Sequence, residues 1–142
     1  MVTHSVVLMI DVDLPYPPSV NKAYATTRSG RRLLTSEGKL YKQSVRDIIG
    51  QRYSAVTPEL NRLGQHPLSL TVKIYTSVEN RGWLEGKAKN RYKRVDVSNR
   101  VKLLEDALFE ALGVDDCLVF KLTVEKIDSD NEYVHINLQE VS

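Results

Sequence analysis

The sequence has one cysteine, Cys117, among its 142 residues. One cysteine cannot form an internal disulfide or hold a zinc ion by itself, which excludes disulfide-stapled and zinc-ribbon folds. No apolar run approaches the roughly 18 residues that span a membrane, and the N-terminus lacks the basic start and long apolar stretch of a secretory signal. We therefore expect a soluble, cytoplasmic protein with no membrane partner, and Cys117 packed at the start of a strand.

Several common catalytic motifs are also absent. The sequence contains no P-loop, no dinucleotide-binding glycine motif, no G-x-S-x-G and no H-E-x-x-H. The three histidines, His4, His66 and His135, are scattered without the spacing of metal ligands. Chemistry that depends on those motifs is excluded, and we do not expect a functional histidine.

Hydrophobic residues make up 42% of the chain and charged residues 27%, so one domain over residues 1–142 can bury a core. Alternating apolar and polar residues predict four strands. These strands cover residues 6–14, 68–76, 118–124 and 134–138. The three prolines between Pro15 and Pro18 interrupt regular structure. A turn is predicted at Ser29-Gly30.

Helical spacing of apolar residues predicts two main helices. The first follows a cap at Thr35-Ser36 and carries Tyr41, Val45 and Ile49 on one stripe. The second follows Asp96 and ends at Gly113. The order β-α-β-α-β-β favours the α+β (mixed α/β) class with a mixed sheet of about four strands. We expect the last two strands to form an antiparallel hairpin.

Basic residues are concentrated between Arg81 and Lys102. This segment has a net charge of +6, and because the whole chain carries +2, the other 120 residues sum to −4. Such a block is typical of binding to a polyanion, although a solvated, mobile loop is the simpler interpretation of a charge run. Trp83 lies among these charges and either stacks on an unpaired base or packs against the body.

The acidic residues beside the second helix form a candidate metal site. Asp96 precedes the helix, and the pair Asp115-Asp116 follows it. Carboxylates are ligands that Mg²⁺ prefers, together with water and substrate phosphate. The alternatives are that Asp96 is an ordinary helix N-cap and the pair an ordinary turn. On the helix between them, Asn99, Lys102 and Asp106 share an arc opposite the apolar stripe.

The order of these residues resembles a known family. The segments DVSNRVK (96–102), EDAL (105–108) and GVDD (113–116) resemble the D-x-D-N-x-x-K, D-A-L and D-D pattern of the RusA family of Holliday-junction resolvases. The segment LPYPPSVN (14–21) resembles the family's L-P-x-P-P-S-x-N opening. SEG (36–38) with Tyr41 resembles its S-x-E-G-x-x-Y helix start. The resemblance spans about residues 8–125.

The resemblance implies a homodimeric, Mg²⁺-dependent endonuclease that cuts four-way DNA junctions symmetrically, with Mn²⁺ as a possible substitute. Carried over by position, Asp96 and Asp116 are metal-binding and catalytic aspartates, and Asp115 is an acidic neighbour that also binds metal. Lys102 is the catalytic lysine and Asn99 the asparagine of the motif. The expected DNA-binding residues are Asn99, Trp83, Arg81, Lys87, Lys89, Arg91, Lys93 and Arg94.

One position departs from the family pattern. Ser98 stands where the family has its second aspartate, so one carboxylate is missing. This favours, as an alternative, a branched-DNA-binding protein with weak or no cleavage. A second alternative is an unrelated nucleic-acid-binding protein whose acids are caps and turns. For a dimer interface, the candidates are an exposed strand alternation and the face of the second helix that bears Leu103.

Overall fold

A computed structural model describes residues 9–53, 64–94 and 96–141 and confirms the α+β class. The strands are β1 (Ile10–Pro15), β2 (Tyr24–Thr26), β3 (Arg32–Leu34), β4 (Leu68–Thr76), β5 (Val119–Asp128) and β6 (Tyr133–Glu140). The helices are α1 (Val20–Ala23), α2 (Ser36–Tyr53) and α3 (Val97–Leu112), with a 3₁₀ turn at Asp116–Leu118. The short α1 and the β2–β3 hairpin occupy the predicted polar stretch, and Gly30 forms its turn with a φ of 83°.

Four strands form a mixed sheet in the order β1-β6-β4-β5. β4 and β5 are parallel, and the other two pairs are antiparallel. Alternate residues of the strands face a single core that α2 and α3 cover. The buried strand residues are Ile10, Val12, Leu14, Leu68, Leu70, Val72, Ile74, Val134, Ile136 and Leu138. The opposite face is polar, so the domain has two layers.

Local signals fix both main helices where the sequence predicts them. The Thr35 hydroxyl accepts a hydrogen bond from the Gly38 N–H at 3.2 Å and so caps α2. Asp96 is the N-cap of α3, and Gly113 ends that helix in the left-handed conformation with a φ of 69°. Pro15 ends β1 at the edge of the sheet, where a residue without an N–H is tolerated.

The predicted hairpin of the last two strands is wrong. β4 lies between β5 and β6, so the connection at residues 129–132 crosses the end of β4. The Ser129 N–H donates to the Thr76 carbonyl at 3.0 Å, and the Asp128 carboxylate accepts from the Val78 N–H at 3.2 Å. The connection therefore provides hydrogen-bond partners for backbone groups at the end of β4. A short turn between two strands in the sequence does not reveal that another strand lies between them.

Two other expectations are wrong, and some lie outside the described residues. Cys117 is exposed rather than packed, because the 3₁₀ turn holds it outside the sheet. Leu103 is fully buried in the core, so its helix face cannot be an interface. The predicted strand at residues 6–14 begins at Ile10, and its first part and His4 lie outside the described residues. Among those described, no helix combines the length and the hydropathy needed to cross a membrane.

Candidate functional site

Asp96 lies at the exposed start of α3. Its Oδ1 accepts hydrogen bonds from the Ser98 N–H at 3.0 Å and from the Ser98 hydroxyl at 2.7 Å. The hydroxyl of Ser98 and the N–H groups of Asn99 and Ser98 stabilise the carboxylate, and Lys126 on β5 adds a favourable charge. Together they lower the pKa of Asp96. Asp96 is therefore an anion at neutral pH, and Ser98 acts on it as a donor instead of adding a second charge.

Lys102 extends from α3 into solvent, one turn beyond Ser98. Its Nζ lies 3.8 Å from Oδ1 of Asp106, which leaves the ammonium group able to contact another anion. Asp106 is held in place because its Oδ2 accepts a hydrogen bond of 2.6 Å from the Tyr24 hydroxyl. Burial and this carboxylate raise the pKa of Tyr24, so Tyr24 stays protonated and keeps donating.

Asp115 and Asp116 lie at the other end of α3. Asp115 caps the 3₁₀ turn, and its Oδ1 accepts from the Cys117 N–H at 2.9 Å, which lowers the pKa of Asp115. The same carboxylate raises the pKa of the Cys117 thiol, so this cysteine is a poor nucleophile. Asp116 is exposed and borders a surface groove of about 430 Å³ with Asp106 and Asp115.

The structure does not bring the two acidic positions together within one chain. Asp96 precedes α3 and Asp116 follows it, and the 16 residues of that helix span about 24 Å at 1.5 Å per residue. In the part of the chain that the structure describes, no three His, Cys, Asp or Glu side chains converge as a metal site would require. A single chain therefore presents two partial sets of oxygen ligands.

Glu105 is an acidic residue of this surface that the sequence analysis did not single out. Partial burial, followed by the nearby charges of Asp116 and Asp106, raises its pKa. It borders the groove between α3 and β5 together with Ser98 and Lys102. Glu105 is three residues from Lys102, which places the two on one side of the helix. This spacing could have identified Glu105 from the sequence alone.

Most of the basic block lies on an arm at residues 77–94, between β4 and α3, and its last two cations, Arg100 and Lys102, lie on α3. The base of the arm is closed by hydrogen bonds of 2.8 Å from the Asn80 N–H to the Arg91 carbonyl and from the Lys93 N–H to the Val78 carbonyl. The mobile loop expected from the sequence is therefore joined across its base like a hairpin. The predicted DNA-binding cations are all exposed, namely Arg81, Lys87, Lys89, Arg91, Lys93 and Arg94.

Aromatic and apolar side chains lie among these charges. Trp83 is 39% exposed, Tyr92 is 55% exposed and Leu84 is 90% exposed. The Arg91 guanidinium pairs with Glu79 at 2.9 Å and lies 5.3 Å from the centre of the Tyr92 ring. The arm thus offers both positive charge and open ring surface to a ligand.

The start of α3 is also tied to the proline-rich segment. Arg100 donates to the Pro17 carbonyl at 3.0 Å and lies 5.1 Å from the centre of the Tyr16 ring. Asn99, the neighbouring motif residue, is half-buried. These contacts bring the proline-rich segment and the start of α3 to the same end of the molecule, next to the basic arm.

A search of curated proteins gives no match, whereas a comparison with known families does. The model of the endodeoxyribonuclease RusA family matches residues 15–139. The match covers the proline-rich segment, the basic arm, α3 and the acidic residues on either side of it. The chain therefore belongs to the RusA family of Holliday-junction-resolving endonucleases.

Proposed function

We propose that this protein is a Mg²⁺-dependent, structure-selective endodeoxyribonuclease that resolves four-way junctions by symmetric phosphodiester hydrolysis in DNA recombination or repair. The observation that carries the proposal is the continuity of the basic arm with Asp96 and Lys102. The arm ends two residues before Asp96, and α3 then presents Lys102 within two turns. DNA held by the arm is thereby brought to an anionic carboxylate and an exposed ammonium group.

The donor chemistry fits Mg²⁺, which binds through one or two carboxylates, water and substrate phosphate. Asp96 would supply one ligand, and Asp116 with Asp115 would supply others. Because about 24 Å of helix separates the two positions, a site that uses both requires two copies of the chain. A homodimer also suits a symmetric junction, in which each subunit acts on one strand. Mn²⁺ accepts the same oxygen ligands.

When bound, such an ion polarises a phosphoryl oxygen and lowers the pKa of its water. The residues of the chain contribute ionised carboxylates as ligands and a positive charge near the phosphoryl group. The Ser98 hydroxyl stabilises the ionised form of Asp96 through its hydrogen bond. Lys102 neutralises negative charge that develops on the phosphoryl group, as preorganised cations do in phosphoryl transfer. Hydrolysis of the P–O bond leaves a 5′-phosphate and a 3′-hydroxyl.

Cleavage of a labelled four-way junction in Mg²⁺, beside linear duplex, tests this function. Lys102→Ala and Asp96→Asn should each lower the cleavage rate by about 100-fold or more, as loss of one charge-stabilising group does. Asparagine is an N-cap as good as aspartate, so Asp96→Asn removes charge without removing the cap. Lys39→Ala and Asp47→Asn, at exposed positions of α2, are the matched controls.

Paired nicks that persist at the wild-type rate in Lys102→Ala would contradict the role of that lysine. The second candidate function is binding of branched DNA without cleavage, and the observation that favours it is Ser98, which brings a hydroxyl where the family has a carboxylate. It predicts selective binding of the junction with no nicks at any Mg²⁺ or Mn²⁺ concentration. If Asp96→Asn and Asp116→Asn change no activity, the two acids serve only as a cap and a turn.

A further inference from the structure

Leu84 is the most exposed of the large apolar side chains that the structure describes. It lies at the tip of the basic arm and is 90% exposed, and its neighbour Trp83 is 39% exposed. A single exposed leucine needs no explanation by itself. The turn that carries Leu84 and the charges around it are what give this side chain a role.

Backbone hydrogen bonds close the turn that carries Leu84. The Gly86 N–H donates to the Trp83 carbonyl at 3.1 Å. The Lys87 N–H donates to the Gly82 carbonyl at 2.8 Å. Gly86 has a φ of 72°, in the left-handed region that favours glycine. The backbone of the tip is therefore already ordered, which lowers the entropy cost of burying Leu84 against a ligand.

The charges around the tip are complementary to a polyanion. Arg81, Lys87 and Lys89 are exposed on either side of Leu84. Glu85 is the one acidic residue of the segment 81–89, and its carboxylate lies 3.4 Å from the Lys87 ammonium group, which offsets its charge. Two apolar side chains are too small for a stable protein interface, which buries about 800 Å² on each partner. DNA is therefore the ligand that this tip fits.

The length of the arm limits how far Leu84 lies from the proposed site of cleavage. The hydrogen bond from the Lys93 N–H to the Val78 carbonyl closes the base of the arm, close to Asp96. Val78 is six positions before Leu84. An extended chain covers at most about 3.6 Å per residue, so Leu84 lies within roughly 22 Å of Val78. At about 3.4 Å per base pair, this distance corresponds to roughly six base pairs or fewer.

We propose that Leu84 is an apolar wedge that inserts between base pairs at the branch point of the DNA, and that it makes the protein prefer branched DNA to linear duplex. Leucine is one of the side chains that proteins insert between base steps. The inference deepens the proposed function and rests on its substrate. It assigns the selectivity for branched DNA to one side chain outside the acidic site.

The selectivity follows from the cost of opening a base step. In linear duplex every base pair is stacked on both sides, so the wedge must unstack a step before it can be buried. In an open junction, the base pairs that border the branch point lack a neighbour on one side. Leu84 is buried there without separating stacked pairs, whereas the cations of the arm bind the phosphates of either substrate equally.

Binding of a labelled four-way junction and of linear duplex, measured by fluorescence anisotropy with divalent metal chelated, tests the wedge without cleavage. Leu84→Ala should raise the junction Kd by about ten-fold, because it removes the apolar group that the base pairs bury. The duplex Kd should change by less than about two-fold, since phosphate contacts provide that affinity. Leu84→Met keeps the apolar volume and should retain the junction affinity of the wild type. Leu40→Ala, at a leucine of α2 that is 69% exposed, is the matched control.

A 2-aminopurine base at the branch point shows directly whether a step is opened, because its fluorescence rises when it loses stacking. Wild type and Leu84→Met should raise this fluorescence on binding, and Leu84→Ala should not. Wild-type selectivity in Leu84→Ala, or equal losses of affinity for junction and duplex, would overturn the wedge. A wild type that opens the branch point and never cuts would retain the wedge and reject the proposed cleavage. A wild type that cuts junctions, with Leu84→Ala equally selective, would retain the cleavage and reject the wedge.

Discussion

At the scale of single residues, the most informative position is Ser98. The family pattern has a carboxylate there, whereas this chain has a hydroxyl that donates to Asp96 at 2.7 Å. A second carboxylate two residues from Asp96 would raise its pKa by repulsion, and the hydroxyl does the opposite. The chain thus has, in place of one potential metal ligand, a neighbour that lowers the pKa of the remaining carboxylate.

This arrangement predicts a pH effect of Ser98→Ala. Loss of the hydroxyl removes the largest contribution that holds the pKa of Asp96 down, so that pKa should rise toward its ordinary value. As pH falls, the variant should protonate Asp96 earlier, and the acidic limb of its pH–rate profile should move to higher pH. Titration of the Asp96 carboxyl carbon by NMR measures the pKa directly, and cleavage of the junction against pH measures its consequence.

Ser44→Ala is the control for that variant. Ser44 also lies on a helix, but its hydroxyl donates to the Leu40 backbone carbonyl at 3.0 Å and not to a carboxylate. The pH–rate profile of this control should coincide with that of the wild type. An unchanged Asp96 titration in Ser98→Ala would show that the Ser98 hydroxyl does not lower the pKa of this carboxyl group.

Some of these residue-level features were predictable and others were not. Asp96 as the N-cap of α3 follows from residue type and from the apolar pattern that starts at Val97. The hydrogen bond between Tyr24 and Asp106 joins residues 82 positions apart, and no local pattern encodes it. Cys117 was expected inside because it precedes an apolar strand, but the 3₁₀ turn that exposes it depends on the cap from Asp115.

At the scale of elements, we expect a glycine-to-alanine substitution to have opposite effects on stability at two positions of α2. A Cβ at Gly38 would lie 2.6 Å from the Ala23 carbonyl oxygen, which is backbone and cannot move aside cheaply. A Cβ at Gly50 would meet nothing within 4 Å. Gly38→Ala should therefore destabilise the protein by about 1–3 kcal/mol through overpacking. Gly50→Ala should stabilise it by about 0.5–1 kcal/mol, because alanine has the higher helix propensity.

Urea unfolding of both variants and the wild type measures this difference. The two substitutions share the helix and the chemistry, so a general effect of alanine on α2 would give them the same sign. A stabilised Gly38→Ala would mean that α1 does not pack closely against the start of α2. Because α1 leads into β2 and Tyr24, loosening this contact should also disturb the residue that holds Asp106.

Periodicity predicted the elements that bury one face, and it did not predict their partners. α2, β4 and α3 each alternate with the period of their secondary structure because each packs on one side only. The alternation from Leu118 to Val124 suggested a buried stripe, yet β5 lies at an edge and leaves Phe120 71% exposed. The order of strands depends on long-range packing, and two strands joined by a short turn resemble a hairpin whether or not another strand separates them.

At the scale of the whole molecule, the separation of the acidic residues could have been recognised from the sequence. A 16-residue helix between Asp96 and Asp115 holds its ends about 24 Å apart, whatever the rest of the fold does. The motif resemblance instead assigns Asp96 and Asp116 to one metal site, because a motif records order along the chain and not distance. The expectation of a dimer first rested on the symmetry of the substrate. The separation of the acidic residues adds a second reason, because a metal site that uses both of them is incomplete in one chain.

The charge distribution of the whole molecule leads to a final prediction, on salt. Cations of the arm at residues 77–94 are exposed on a chain whose remaining charge is negative. If five to eight phosphates are contacted, junction affinity should fall with salt at a log–log slope of roughly −4 to −7. Lys93→Ala should reduce the magnitude of this slope by about 1. Lys39→Ala on α2 should leave it unchanged.

Arg91 provides the sharper comparison within the same arm. Its guanidinium already pairs with Glu79 at 2.9 Å, so the negative charge of Glu79 offsets its positive charge while that pair holds. Arg91→Ala should therefore change the salt slope less than Lys93→Ala does, although the two residues are two positions apart. Fluorescence anisotropy of a labelled junction, titrated at several salt concentrations, measures each slope. A wild-type affinity that does not respond to salt would remove the arm from the interface, and equal effects of both variants would show that DNA displaces Glu79 from Arg91.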